Sequence, residues 1–352
     1  MVIAIAMKVH ISPFDGHLSV NKYEIDFEGG IKVGLTNYGA SITSIWTPNA
    51  NGRREDVVLG FDSLEEYMND HPYFGCTCGR YANRIRNGQF ELDGEVYCLE
   101  RNSFPNHLHG GGKGFDKRIW KETGVEEVEG KVYVNFEYVS PHLEEGYPGE
   151  LIVKVCYAIS HSHIEIIYDG QTDKTTIINP TNHTYFNLSG KLGVSVFESH
   201  RLEINADRYL PVNEYQIPTG QLVQVDQTDF DFRQMQDLKL PLSEGELTGY
   251  DHCFDLGNNS NSKNFAARLD EVSSGRSLMV KTSEPGIQLY TGNNLDGSLR
   301  GKGFTFNQHS GVCLETQHFP DSPNILDFDS TILKPGEVFE SRTIYGFSAF
   351  SP

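Results

Sequence analysis

The chain has 352 residues, 38% of them hydrophobic, with 35 glycines and 15 prolines, a composition that supports a core and many turns and argues against disorder. Its 48 acidic against 29 basic residues leave a formal net charge of −19, which repels phosphate backbones and sets aside nucleic acid and anionic membranes as partners. A neutral polar ligand is compatible with such a surface, and no apolar run approaches the roughly 20 residues needed to span a bilayer.

The apolar start, Met1 to Met7, is short, lacks a basic leader and soon meets Lys8 and His10, which reads as an ordinary or added terminus rather than a signal peptide. Ser63-Leu-Glu-Glu66 is a capping-box pattern running into Tyr67 and Met68, and predicts one short helix. From Phe90 to Leu99 the chain reads as a strand, an Asp93-Gly94 turn and a returning strand. Alternation at Val132, Val134, Phe136 and Tyr138, at Val153, Val155, Tyr157 and Ile159, and at Ile164, Ile166 and Tyr168 predicts strands with one buried face. A weak helix candidate lies near Phe232 to Leu238, and Gly257 to Asn264 is a polar loop too short for a linker. Without a linker or a repeat of fixed period, residues 1–352 read as one domain. The fold class expected is all-β: large packed antiparallel sheets with very little helix.

Six cysteines, at 76, 78, 98, 156, 253 and 313, are few and scattered for this length, and Cys76-Thr-Cys78 lacks the second pair a zinc site wants. Buried free thiols are expected. Asn182-His-Thr184 and Asn187-Leu-Ser189 are formal glycosylation acceptors beside the best candidate for an active site, which favours a cytoplasmic location.

Histidines and carboxylates gather in stretches rich in Gly, Asn and Thr. Arg84 beside Asn83 offers a fork of donors next to an amide, or else is a surface or ion-paired arginine. His107 and His109 would share a face on a strand. His109 runs into three glycines where backbone can approach a ligand closely, and His107 reads as support. A metal partner motif is lacking, so no metal is expected. His183 sits among Thr181, Asn182, Thr184, Tyr185 and Asn187, too polar a run for a plain core strand. Asp251 follows Gly249-Tyr250 and could be a turn or cap residue. Glu315 follows the apolar Val312-Cys-Leu314, where a carboxylate is costly to bury without hydrogen bonds, which makes it a candidate base. No nucleophile elbow, phosphate loop or dinucleotide fingerprint occurs, so no cofactor is expected.

Taken together, Gly79-Arg-Tyr-Ala-Asn-Arg-Ile85, Leu108-His-Gly-Gly111 with Gly114-Phe-Asp-Lys117, Thr181-Asn-His-Thr-Tyr-Phe-Asn-Leu188, Gly249-Tyr-Asp-His252 and Cys313-Leu-Glu-Thr-Gln317 resemble the galactose mutarotases, or aldose 1-epimerases. Asp56 to Phe61, Glu144 to Gly149, Tyr290 to Gly292 and Leu333 to Gly336 extend the likeness over most of the chain. The resemblance implies a single β-sandwich domain with a sugar cleft, Glu315 as general base and His183 as general acid. It implies that Arg84, His109 and Asp251 orient the sugar and that Asn83, Thr184, Tyr185 and Gln288 contact or border it. Cys253, where relatives often carry asparagine, and Gly112, where a larger residue is common, depart from the pattern without touching the acid–base pair.

The chemistry implied interconverts the α and β anomers of a free aldohexose such as galactose or glucose. Unperturbed, a glutamate titrates near about 4.3 and a histidine near about 6.5, so at neutral pH His183 needs a negative neighbour, Asp251 or Glu315, to stay protonated. Three rivals follow from the same residues: a glycoside hydrolase using Asp251 and Glu315, a non-catalytic sugar-binding protein, and an epimerase of hexose phosphates, which would need further cationic groups. The partner expected is the sugar alone, with the protein a monomer or weak homodimer.

Overall fold

The structure, a computed structural model, describes residues 7–241, 249–257 and 264–351. Three antiparallel sheets carry the fold. Five strands, Met7–Pro13, Asn21–Phe27, Lys32–Thr36, Ser41–Pro48 and Arg54–Asp56, pair in chain order. Nine strands form the largest sheet, in the order Lys121–Val128, Lys131–Ser140, Leu151–Ile159, His163–Thr172, Phe339–Ala349, Arg276–Thr282, Phe265–Glu271, His200–Ile204 and Gln236–Asp237. A six-stranded sheet runs Tyr185–Phe186, Val312–Gln317, Gly286–Tyr290, Asp251–Asp255, Arg208–Tyr209 and Val223–Gln224.

Alternation decides what each sheet buries. Val132, Val134 and Phe136, Val153, Val155 and Tyr157, and Ile164, Ile166 and Tyr168 lie inside, as their spacing predicts. They join Ile25 and Val33 of the five-stranded sheet and Ile287, Leu289, Val312 and Leu314 of the six-stranded sheet in one apolar cluster. Each fully buried aliphatic side chain of this kind contributes about 1.5–3 kcal/mol. Ile287, Leu289, Val312 and Leu314 thus turn into the core, and their neighbours Gln288, Tyr290, Cys313 and Glu315 project from the opposite face of the same strands.

Local signals hold where they are chemical. Leu64–Met68 is the one α-helix among the described residues, and its capping box is formed: Ser63 Oγ accepts from Glu66 N and Glu66 accepts from Ser63 N. Such a cap is worth about 1 kcal/mol. The Gln89–Leu92 and Glu95–Cys98 hairpin turns on Asp93 and Gly94, both left-handed at φ 52° and 79°.

Phe232 to Leu238 is not a helix. Gln236–Asp237 pairs with His200–Ile204, Leu238 N donates to His200 O, and Phe232 O accepts from Ile204 N. The sheet takes up the backbone groups a helix would have used, and Phe232 and Leu238 reach the core from an extended chain. All six cysteines are free thiols, but only four are buried: Cys98 is exposed on the hairpin and Cys156 half-buried on the nine-stranded sheet, each on a face nothing covers fully. Of the loop at Gly257 to Asn264, residues 258–263 lie outside the described residues, as do residues 1–6 of the apolar start.

Candidate active site

The register of the six-stranded sheet builds the floor of a cleft. Glu315 lies directly opposite Gln288, and Gln288 opposite Cys253. One step along, Tyr185, Cys313, Tyr290 and Asp251 form a second row across four strands. Continuing the Tyr185–Cys313 register by two residues sets His183 beside Glu315. Its Nε2 stands 3.6 Å from Glu315 Oε1, although 132 positions separate them in the chain. Backbone bonds fix His183 from the other side: its N–H donates to Cys76 O, and its carbonyl accepts from Gly75 N.

The walls come from loops. Cleft-lining residues include Asn83, Arg84, His109, His183, Tyr185, Asp251 and Glu315, so the structure gathers seven of the nine residues expected from sequence. Gln288 adjoins them, its amide donating to Asp251 Oδ1 at 2.6 Å, and Arg84 stands 3.7 Å from Asp251 Oδ2. Thr184 is placed differently: its hydroxyl donates to Asn182 Oδ1 at 2.6 Å, and it is not among the lining residues. Tyr73, Tyr290 and Asn294 line the cleft without having been singled out. Tyr290 occurred in a family-like segment, and two-residue alternation from Gln288 could have flagged it. Tyr73, left-handed at φ 62°, carries no such signal.

His107 and His109 do not share a strand face. Pairing ends at Leu108, and His109 turns left-handed at φ 51°, which aims its ring into the cleft. His107 is support: its ring bonds Glu100 O and the Tyr147 hydroxyl, both at 2.6 Å. The glycines that follow are not among the cleft-lining residues. A Cβ on Gly110 would lie 1.8 Å from Gly79 O, so the missing side chain lets two site loops touch.

Nitrogen and oxygen atoms of His109, His183 and Glu315 lie within 4.8 Å of one another, which raises the question of a metal ion. The His109 tautomer answers against it. Asn83 N–H donates to His109 Nδ1, so in the neutral ring Nε2 carries the hydrogen and has no lone pair for an ion. A donor there suits a sugar oxygen instead.

Burial dominates the electrostatics. It drives His109 well below the usual histidine range, with His183 and Arg84 adding to the shift. His183 is brought down to about 3 by the same cause. Glu315 is pushed well above the usual carboxylate range by burial and then by Asp251, against Arg84. The expectation that a carboxylate raises His183 is therefore corrected: loss of hydration is the leading cause and lowers it. Burial thus disfavours the charged form of each group. Glu315 Oε2 and Gln288 Oε1 are buried without hydrogen-bond partners. Leaving such atoms unmet costs about 1–3 kcal/mol each, an expense that incoming hydroxyls would offset.

Two of the three rival readings lose ground on these contacts. Asp251, the second carboxylate of a hydrolase pair, is engaged by Gln288 and Arg84. Arg84 is the only arginine or lysine among the cleft-lining residues, too few cations for a phosphate.

Comparison with known proteins shows the family. The family model for aldose 1-epimerase matches residues 21–346. The chain is 44% identical over 331 residues to the galactose mutarotase of Bos taurus, covering 94% of both chains. It is 39% identical over 301 residues to the aldose 1-epimerase of Haemophilus influenzae, covering 84% of this chain and 86% of the other. A solved structure of an aldose epimerase homologue from C. elegans superposes with a TM-score of 0.83 at 28% identity, covering 98% of this chain and 100% of that one.

Proposed function

The chain belongs to the aldose 1-epimerase family and is an enzyme that acts on carbohydrates, and we propose that Glu315 and His183 carry the proton transfers by which it interconverts the anomers of free aldohexoses. The observation that carries this reading is the 3.6 Å approach of two buried titratable groups at one cleft, where burial favours the neutral form of each.

Ring opening needs an acceptor for the C1 hydroxyl proton and a donor to the ring oxygen. A pyranose placed with O1 toward Glu315 and O5 toward His183 Nε2 offers each group a hydrogen bond that favours its ionised form. The shared proton then moves from Glu315 to His183 without exchange with solvent, because the neutral and ionic pairs hold the same number of protons. Glu315 takes the O1 proton, His183 Nε2 protonates O5, and the C1–O5 bond breaks to give the open-chain aldehyde. Rotation about C1–C2 presents the other carbonyl face. Closure returns the proton from O5 to His183 and from Glu315 to O1, which restores the starting pair. Each positioned group contributes roughly 10²–10⁴ in rate.

His109, as an Nε2–H donor, and Arg84, held by Asp251, orient the hydroxyls. Asn83, Tyr185 and Gln288 border the sugar. Thr184 supports the His183 segment through Asn182. We read residues 1–352 as one domain, because a single apolar cluster draws on all three sheets.

Relatives named galactose mutarotase make galactose the first sugar to try. Polarimetry on freshly dissolved α-D-galactose and α-D-glucose should show rotation reaching equilibrium faster with the protein than without. Unchanged curves for both sugars would refute the proposal.

A further inference from the structure

The acid–base scheme needs only one nitrogen of His183 to exchange its proton, and the imidazole has two. What distinguishes them lies on the Glu315 strand. Alternation along Val312–Gln317 puts Cys313 and Glu315 on one face, two residues apart. Cys313 Sγ stands 3.6 Å from His183 Nδ1, and Glu315 Oε1 stands 3.6 Å from His183 Nε2. One strand therefore brackets the ring, sulfur on one nitrogen and carboxyl on the other.

Cys313 has no freedom to leave. It is fully buried between Tyr185 and Tyr290, its partners across the sheet. The Tyr185 ring also lies against His183, with centroids 5.0 Å apart. Burial raises the Cys313 thiol well above its ordinary range, with Glu315 and Asp251 adding to the shift, so it stays uncharged. A neutral thiol is a weak acceptor for a nitrogen-bound hydrogen. It is no nucleophile in this setting, and the reaction gives it no covalent role.

Resting on the reading of His183 as the proton carrier, we propose that Cys313 is a positioning residue. Its sulfur accepts the Nδ1 hydrogen of His183 and so keeps Nε2 as the nitrogen that trades a proton with the sugar. Without that acceptor the ring can take the other tautomer. Nε2 would then already carry a hydrogen and could not receive the Glu315 proton.

Two substitutions separate hydrogen bonding from packing. Cys313→Val fills the space and accepts nothing, while Cys313→Ser keeps an acceptor and loses some apolar contact. Anomer exchange of galactose followed by polarimetry gives kcat and KM, with thermal unfolding as the check on folding. Cys313→Val is expected to lower kcat roughly three- to tenfold, the span of one modest hydrogen bond, with KM within about twofold. Cys313→Ser is expected to recover at least about half of the unsubstituted rate, even if it unfolds at a lower temperature. A valine variant with kcat within about twofold of the parent, or a serine variant as impaired as valine, overturns the proposal. Nitrogen-15 NMR of the histidine rings in the parent protein gives a test independent of any variant: Nδ1 of His183 must carry hydrogen, and a bare Nδ1 overturns the proposal too. Glu315→Gln in the same assay distinguishes the two levels. An active Glu315→Gln breaks the acid–base reading itself; an inactive one beside a normal Cys313→Val breaks only the role of Cys313.

Discussion

The cleft and a second cavity, beside the five-stranded sheet, make opposite uses of charge. The second cavity is the roomier, 480 Å³ against 90 Å³, and is lined by Lys22, Lys32 and Lys302 with Glu24, Glu55, Asp56 and Asp62. Most of its charges are paired. Lys302 meets Asp56 at 2.7 Å and Val58 O at 2.9 Å, Lys32 meets Glu24 at 2.8 Å, and Glu55 meets Arg276 at 2.7 Å. Burial lowers Lys302 from its usual range, opposed by Asp56. Thr43 Oγ1, a neutral hydroxyl, is buried there without a hydrogen-bond partner. In the smaller cleft the atoms left unmet belong to Glu315 and Gln288, next to a histidine whose charged form is disfavoured. Volume does not mark the site. Unmet hydrogen-bonding capacity beside groups pushed off their usual titration does.

The comparison breaks if substitutions in the two cavities have similar effects. The largest loss of turnover is expected from Glu315→Gln, by roughly 10²–10⁴ in kcat, with galactose binding by calorimetry little changed. A comparable fall is expected for His183→Gln, since either change leaves the pair without its second partner. Arg84→Met comes next. It removes charge-assisted hydrogen bonds to the sugar worth about 1.5–3 kcal/mol, so KM should rise by about ten- to a hundredfold, read from initial rates against galactose concentration. At the small end stands Lys302→Met: turnover unchanged, and stability in urea lowered by about 3 kcal/mol because Asp56 is left buried without its cation. Loss of turnover in a folded Lys302→Met protein would erase the distinction between the cavities.

Much of this was legible in the chain because the signals are local. Alternation marked the strands of the nine-stranded sheet, Asp93-Gly94 marked a hairpin, and Ser63 with Glu66 marked the helix. Family-like segments named residues that the fold then brought to one cleft from positions as distant as Asn83 and Glu315. What local pattern could not supply was depth. A carboxylate near His183 suggests a raised imidazole at the level of sequence. The buried geometry reverses the sign, since loss of hydration around the ring lowers the imidazole. Phe232 to Leu238 misled for a related reason: its apolar residues suit a helix or an extended edge, and the neighbouring His200–Ile204 strand decides between them. Cys313 was expected only as a buried free thiol, and the cross-strand register sets it behind the His183 ring.

Whether Glu315 and His183 act as a one-proton unit is tested most directly by the pH dependence of kcat/KM for galactose, which reports the free enzyme, after subtraction of the spontaneous rate. On this account the pair works with one proton. A second is added only as pH falls toward about 3, where His183 titrates, and the first is lost only above the ordinary carboxylate range, where Glu315 titrates. The predicted profile stays level from neutral pH down through the region near 6.5 and on toward pH 4. A profile that falls to half between pH 7 and pH 6 would show an imidazole titrating at its ordinary value, and would contradict the buried one-proton pair.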